Sequence, residues 1–391
     1  MKHLIILLFT PLFFTAQDDE ITLVSKMDGS FFTENGTNTP FWGFGEYFPG
    51  VVNQRVYLPA PLLVFNYGDS VHVNLINQSP ETHTIHLHGL DVSQINDGVP
   101  ATSFGVLFND SASYKFRANN IGTFLYHCHV NTNLHAAMGM SGMLVVRNYP
   151  DTNLLYNGGP SFNKEYYYLS SDMYLYWNYN TTSPGPFHMY EADYFMVNGK
   201  SGTQLFDDTT ETIYMNAGDT ALIHIGNVGY NAVSYIFPVA ANATAHLSDG
   251  RILPSPISAD TLTIYPGERY SVLLTPTQFI EGYVTVNSTN LYNDTTIVGT
   301  NYIGINVTMY PSGVEDNKLE ELHLYPNPAN NIVNIRSTKD SDINIYSIEG
   351  KFVKTTRINK GANSIDISDF TEGMYLVISD GFLPAKFIVF K

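Results

Sequence analysis

Between Ser70 and Asn77 the chain reads SVHVNLIN, with Val71, Val73 and Leu75 set apart by polar residues, the two-residue period of a strand that buries one face. Short runs of this kind recur between Gly, Pro, Asn and Asp, while apolar residues seldom repeat at helical spacing, so the pattern predicts an all-β chain. The run also has a copy. NYGDSVHVNLIN (Asn66 to Asn77) and NAGDTALIHIGN (Asn216 to Asn227) share Asn-x-Gly-Asp-Ser/Thr, a strand-like stretch and a closing Asn, displaced by 150 positions throughout, which reads as an internal duplication. A Gly-Asp turn feeding a strand in each copy predicts two β-sandwich domains in tandem, residues 18–150 and 151–310. The segment PSGVEDNKLEE, residues 311–321, is polar, charged and poor in apolar residues, as expected of a linker. Residues 322–391 contain LYPNPANNIVNIRS, DINIYSIEGKFV and EGMYLVISDG, short alternating strands joined by Pro, Asn and Gly turns, and predict a third, small β-sandwich.

With 391 residues, each of these units is long enough to bury a core without staples. The 27 Tyr and 24 Phe strengthen the β-reading. A formal charge of -17 speaks against a nucleic acid or an acidic membrane surface as partner, because the summed field repels phosphates. At the start, MKHLIILLFTPLFFTAQDDE has a basic residue, an apolar run from Leu4 to Phe14 and a small-residue exit at Thr15 and Ala16. The run is too short to span a bilayer comfortably, so residues 1–17 read as a secretory signal peptide rather than a transmembrane segment. Exported proteins usually use disulfides, yet Cys128 is the only cysteine and cannot make one within the chain.

Cys128 lies in YHCHVNTNLHAAMGM, Tyr126 to Met140, and upstream stands HTIHLHG, His83 to Gly89. In extended strands, side chains alternate faces, so His86 and His88 share one face with His83 opposed, and His127 and His129 share one face with Cys128 opposed. If the strands lie side by side, Cys128 and His83 meet inside the sandwich and four imidazoles meet outside it. The loop after Cys128 can complete the inner set with His135 and a methionine. A thiolate, two imidazoles and a weak thioether make the trigonal site with a long axial Met that holds blue copper. Met138 and Met143 compete with Met140 for the axial place, and Met140 is favoured by its His-x-x-x-Gly-Met spacing from His135.

An isolated cysteine in a β-protein is more often an inert core residue, and an isolated histidine more often a hydrogen-bonded group than a ligand. By that rule His3, His72, His188, His224, His246 and His323 receive no role. The other six of the twelve histidines, however, fall in two short segments around the only cysteine. Zinc suits thiolate and imidazole as well. A methionine at axial spacing favours copper.

HTIHLHGL followed by DGVP (Asp97 to Pro100), then YHCHV and HAAMGMSGMLVV, resemble the copper motifs of the multicopper oxidases, the group that includes laccases and, more distantly, copper nitrite reductases. The resemblance extends over about residues 40 to 300, since VNGKSG, IHIGNVGY and IYPGERYSVLL look like the family's plastocyanin-like, cupredoxin-type domains. It implies a type 1 copper at His83, Cys128, His135 and Met140, and type 2 and type 3 coppers at His86, His88, His127 and His129. Cys128 with its neighbours His127 and His129 would then be the catalytic electron path, with substrate oxidised at the type 1 copper and oxygen reduced beyond it. The tail resembles the C-terminal sorting domain of type IX secretion in Bacteroidetes, starting at Leu324-Tyr325-Pro326-Asn327-Pro328 and ending in the basic Lys391, which implies a secreted or cell-surface protein.

Displacing His83, His86 and His88 by 150 gives Val233, Ile236 and Pro238, so the second unit has lost all three ligands, and it has no Cys or His-x-His pair. The expectation is therefore a secreted copper oxidoreductase that takes single electrons from a phenol, a metal ion or a protein donor and passes them to oxygen. The alternatives are an electron-transfer or copper-binding protein using only the type 1 site, and an adhesive surface protein that keeps a copper fold without turnover. A homo-oligomer whose copies share a copper site is one way to complete the outer set.

Overall fold

The computed structural model describes residues 18–290, 293–309, 322–348, 351–379 and 382–391. The expected signal peptide (1–17) and linker (311–321) lie outside the described residues. Two compact units divide the chain, Met1–Tyr310 and Pro311–Lys391, and strands dominate both, as the alternating pattern predicts.

The first unit begins with eight strands, β1 (Asp18–Phe32), β2 (Asn38–Glu46), β3 (Leu63–Asn66), β4 (Ser70–Asn77), β5 (His86–His88), β6 (Ser111–Arg117), β7 (Gly122–His127) and β8 (Ser141–Arg147). They form two four-stranded sheets, ordered β2-β1-β4-β6 and β3-β8-β7-β5. Val71, Val73 and Leu75 of β4 are fully buried between the sheets with Leu87, Phe124, Tyr126 and Cys128, and the polar residues between them face outward. Each such side chain contributes about 1.5–3 kcal/mol by leaving water. In β7 the alternation fails, because both faces are covered. Phe124 and Tyr126 point into this core, while Leu125 packs on Met143, Val145 and Leu169.

Leu169 belongs to a second sandwich in the same unit, made of a six-stranded sheet around the strand Ala221–Asn227 and a five-stranded sheet, with Ile223, Ile225, Tyr235 and Val272 in its core. The repeated sequence makes repeated structure. The Asn66 N–H donates to Asp69 Oδ2 at 2.6 Å and the Asn216 N–H to Asp219 Oδ2 at 2.8 Å, around Gly68 and Gly218, both with φ of 94°. At the other end of each copy the closing Asn fastens the loop that follows. Asn77 Oδ1 accepts from the Ser79 N–H at 2.9 Å and its Nδ2 donates to Glu81 O at 2.6 Å, while Asn227 makes the same two bonds to Gly229 N and Asn231 O, both at 2.9 Å. In the first copy the clamped loop leads to His83. In the second it carries residues 228–230, which face the histidines of the first sandwich.

The second unit folds as a three-stranded and a four-stranded sheet around Val333, Ile335, Ile343, Ile345 and Phe387. No helix among the described residues is long and apolar enough to cross a membrane.

Candidate metal centres

Strand β5 pairs antiparallel with β7, His86 opposite His127 and His88 opposite Leu125, which sorts the candidate ligands onto two faces as strand parity predicts. On the inner face, His83 is held by a two-way bridge with Val106 (N–H to O distances 3.1 and 2.8 Å). Cys128 follows β7, its N–H bonded to Met140 O at 3.0 Å. The short helix α1 (Thr132–Ala137) then turns back and brings His135 over the thiol. Cys128 Sγ lies 3.5 Å from His83 Nδ1 and 3.2 Å from His135 Nδ1. His83, Cys128, His135 and Met140 are all 0% exposed. Met138 shares their core cluster, whereas Met143 lies on the opposite face of β8 in the cluster with Leu125 and Leu169.

The protonation pattern suits a metal. The His135 Nε2–H donates to Glu81 Oε2 at 3.1 Å, which leaves the Nδ1 lone pair toward the sulfur. Burial, with His135 beside it, lowers the His83 pKa to about 3, and burial pushes the Cys128 thiol up. At neutral pH the imidazoles are therefore neutral, and a bound cation would displace the thiol proton. Two imidazole nitrogens and a sulfur converging in a dry pocket, with a thioether available in the same cluster, fit a copper ion of the blue type. Trp42 packs edge to face on His135, ring centres 5.2 Å apart.

On the outer face, His86, His88 and His127 bring ring nitrogens within 4.8 Å of one another. The His129 ring stands 5.0 Å from that of His86, and its backbone N–H is fixed by Thr84 Oγ1 at 2.8 Å. His86 Nδ1–H donates to Asp97 O at 2.8 Å and His127 Nδ1–H to Cys128 O at 3.0 Å, so each turns its Nε2 lone pair to the cavity, that of His127 lying 3.2 Å from His88 Nδ1. Burial lowers His127 to about 3, and burial with the nearby Arg269 cation lowers His88 to about 4. This donor set also fits a cation. A cavity of about 320 Å³ opens over these rings, and its far wall is Asn227–Tyr230 and Pro266–Gly267 of the second sandwich.

Glu81, Thr84, Trp42 and the wall of the second sandwich are absent from the sequence reading. None belongs to a pattern, since each acts through a contact distant in sequence. The Asp-Gly of DGVP supports the outer face. An ideal Cβ on Gly98, where φ is +73°, would sit 2.0 Å from Ile85 O, so the residue lets the Asp97 carbonyl reach His86. Gly98→Ala is expected to weaken copper at the outer site by roughly 10- to 100-fold in a competition titration while leaving blue absorption in place.

His224 does not approach either centre. It is buried between the sandwiches, its Nδ1 2.7 Å from Thr123 Oγ1 and its Nε2 3.0 Å from Glu165 Oε1, so both ring nitrogens are engaged.

Two family models, both described as multicopper oxidase, match residues 47–151 and 161–310, and one described as a secretion system C-terminal sorting domain matches residues 323–381. Laccase-2 of Pleurotus ostreatus is 28% identical over 277 residues, 66% of this chain and 48% of that protein. Laccase-1 of Emericella nidulans is 30% identical over 179 residues, 42% of this chain and 28% of that protein. The chain thus spans less than half the length of the curated relatives it matches. Among solved structures, the blue copper oxidase from Nitrosomonas europaea superposes with a TM-score of 0.59 at 28% identity, covering 74% of this chain and 86% of that one.

Proposed function

Because the chain belongs to the multicopper oxidase family, we propose that it is an exported oxidoreductase that takes one electron at a time from a phenol, a metal ion or a protein donor and delivers the electrons to oxygen. His83, Cys128, His135 and Met140 would hold a type 1 copper, and His86, His88, His127 and His129 would bind copper on the opposite face of the same sheet. The observation that carries the reading is the convergence of His83 Nδ1, His135 Nδ1 and Cys128 Sγ in a pocket without solvent, one residue away from two outward-facing histidines.

Copper supplies the one-electron chemistry. The chain's own residues set the conditions for it. Burial keeps water from Cys128 and limits rearrangement when the charge at the site changes. Glu81 fixes the ring of His135 by accepting a hydrogen bond from its Nε2–H. Cys128 is bonded through its backbone to His127 and His129, and the His127 Nδ1–H bond to Cys128 O adds a second, shorter link from the cysteine to an outer ring. The sorting domain at residues 323–381 supports export by type IX secretion, and a signal peptide at residues 1–17 would carry the chain across the inner membrane.

The test is metal analysis of the copper-loaded chain together with oxygen uptake in the presence of a phenol or cuprous ion. Donor-dependent uptake with more than one copper per chain supports the oxidase. A single copper without uptake would instead make the protein an electron carrier, and a chain with stoichiometric zinc and no colour would overturn the type 1 assignment.

A further inference from the structure

The outer histidines face a wall that brings no ligand. Among the described residues lining that cavity, the second sandwich contributes no imidazole, thiolate or carboxylate. Its polar groups are already engaged. The Tyr230 hydroxyl donates to Asn133 O at 2.8 Å, and the amide of Asn227 is spent on Gly229 and Asn231. The wall also stands close to the rings, since a Cβ on Gly267 would come within 3.2 Å of His88 Cε1. Between this wall and the rings lies the cavity of about 320 Å³, lined on its far side by Asn227–Tyr230 and Pro266–Gly267.

Charge acts in the same direction. Behind Gly267, the Arg269 guanidinium is 4% exposed, donates to Gly267 O at 2.6 Å and pairs with Asp249 at 2.7 Å. Buried behind the wall and only partly offset by the half-exposed Asp249, its charge opposes further cations in the cavity. On the histidine side, the carboxylate of Asp97 lies 3.3 Å from His86 Nδ1 and serves that ring. Four imidazoles, three of them converged and His129 beside them, are what the cavity offers, about the protein ligand count of a single copper.

We infer that the outer cavity holds one copper rather than a cluster of three, so that the protein reduces oxygen by two electrons and releases hydrogen peroxide. The inference rests on the copper-oxidase reading above and specifies its product. One electron stored at the Cys128 site and one at the outer site are all that two coppers can deliver together. Two donors each lose one electron, oxygen gains both with two protons from solvent, and the bond between the oxygen atoms is retained. Cleaving that bond to give water needs two further electrons, which this pair of sites does not store.

The experiment uses the full chain loaded with copper and ferrocyanide, a one-electron donor. Metal analysis should give two coppers per chain, and the integrated EPR signal of the oxidised protein should account for all of them. One oxygen should be consumed for every two ferrocyanides, and catalase added late should return half of the oxygen consumed. His88→Ala should lose the second copper and its EPR signal while remaining blue and reducible by ferrocyanide. Four coppers per chain with part of the copper silent in EPR, or one oxygen per four ferrocyanides with no effect of catalase, would overturn the inference. If no oxygen is consumed, the oxidase reading fails, and the copper count with the EPR integral still decides whether the outer site is mononuclear.

Discussion

Cys128→Ser should give a chain that folds, stays colourless when loaded with copper, and oxidises no donor. The colour of a blue site arises from charge transfer between thiolate sulfur and Cu(II), and serine offers no comparable donor. The sulfur is also the nearest atom of residue 128 to both ligand nitrogens, His83 Nδ1 and His135 Nδ1, so its removal takes away the strongest ligand and the first atom of the path to His127 and His129. Donor oxidation should fall by a factor on the order of 100 or more, the scale expected when a residue through which every electron must pass is lost. Folding should suffer less. Residue 128 is wholly buried, and a hydroxyl in place of a thiol costs about 1–2 kcal/mol unless it finds a partner. The His135 Nδ1 lone pair, 3.2 Å from the sulfur, is the nearest acceptor, with the Val130 carbonyl at 3.9 Å. The outer histidines keep their own fixings through Asp97 and Thr84, so the variant should still bind copper there. Blue absorption retained in the variant would remove Cys128 from the metal site.

Much of this site was legible because strand geometry turns sequence parity into spatial sides. His86 and His88 are two apart, as are His127 and His129, and β5 and β7 do place them together on one face with His83 and Cys128 on the other. The duplication was legible for a similar reason, since Asn-x-Gly-Asp specifies a turn through bonds within four residues, and both copies make it. What escaped depends on partners far along the chain. Glu81 meets His135 across 54 residues, and the loop after Asn227 meets the outer histidines from the other sandwich. Sequence also gave no sign that β7 would be buried on both faces, because that follows from how the second sandwich packs against Leu125.

That packing contains the second large effect. Glu165 should stabilise the first unit by about 3 kcal/mol above pH 4.5, a contribution lost as the pH falls toward 2. Burial alone would raise its pKa, but His224 and Arg147 outweigh it and hold the carboxyl at about 2, well below its ordinary value of 4.5. Arg147 of β8 reaches Glu165 with its guanidinium and also donates to the Tyr167 hydroxyl at 2.7 Å, while His224 stacks on Tyr167 at 5.2 Å and continues to Thr123 of β7. The carboxylate thus joins the two sandwiches, and its side chain is only 13% exposed, so solvent screens it little. Because the folded pKa lies below the unfolded one, the unfolded chain binds the proton first as the pH drops, and stability falls between about 4.5 and 2. Glu165→Gln should therefore be less stable than the parent near neutral pH, with the difference shrinking on acidification. Protonation of the buried imidazoles His83, His88 and His127 also weakens the fold in acid, but none of them acts on Glu165, so that effect is common to both chains and cancels in the comparison. Both tryptophans, Trp42 and Trp177, lie in the first unit, so urea unfolding of the metal-free full chain followed by their fluorescence reports this unit alone. A gap between the two chains that stays constant from pH 6 to pH 3 would mean that the carboxylate charge does not hold the sandwiches together.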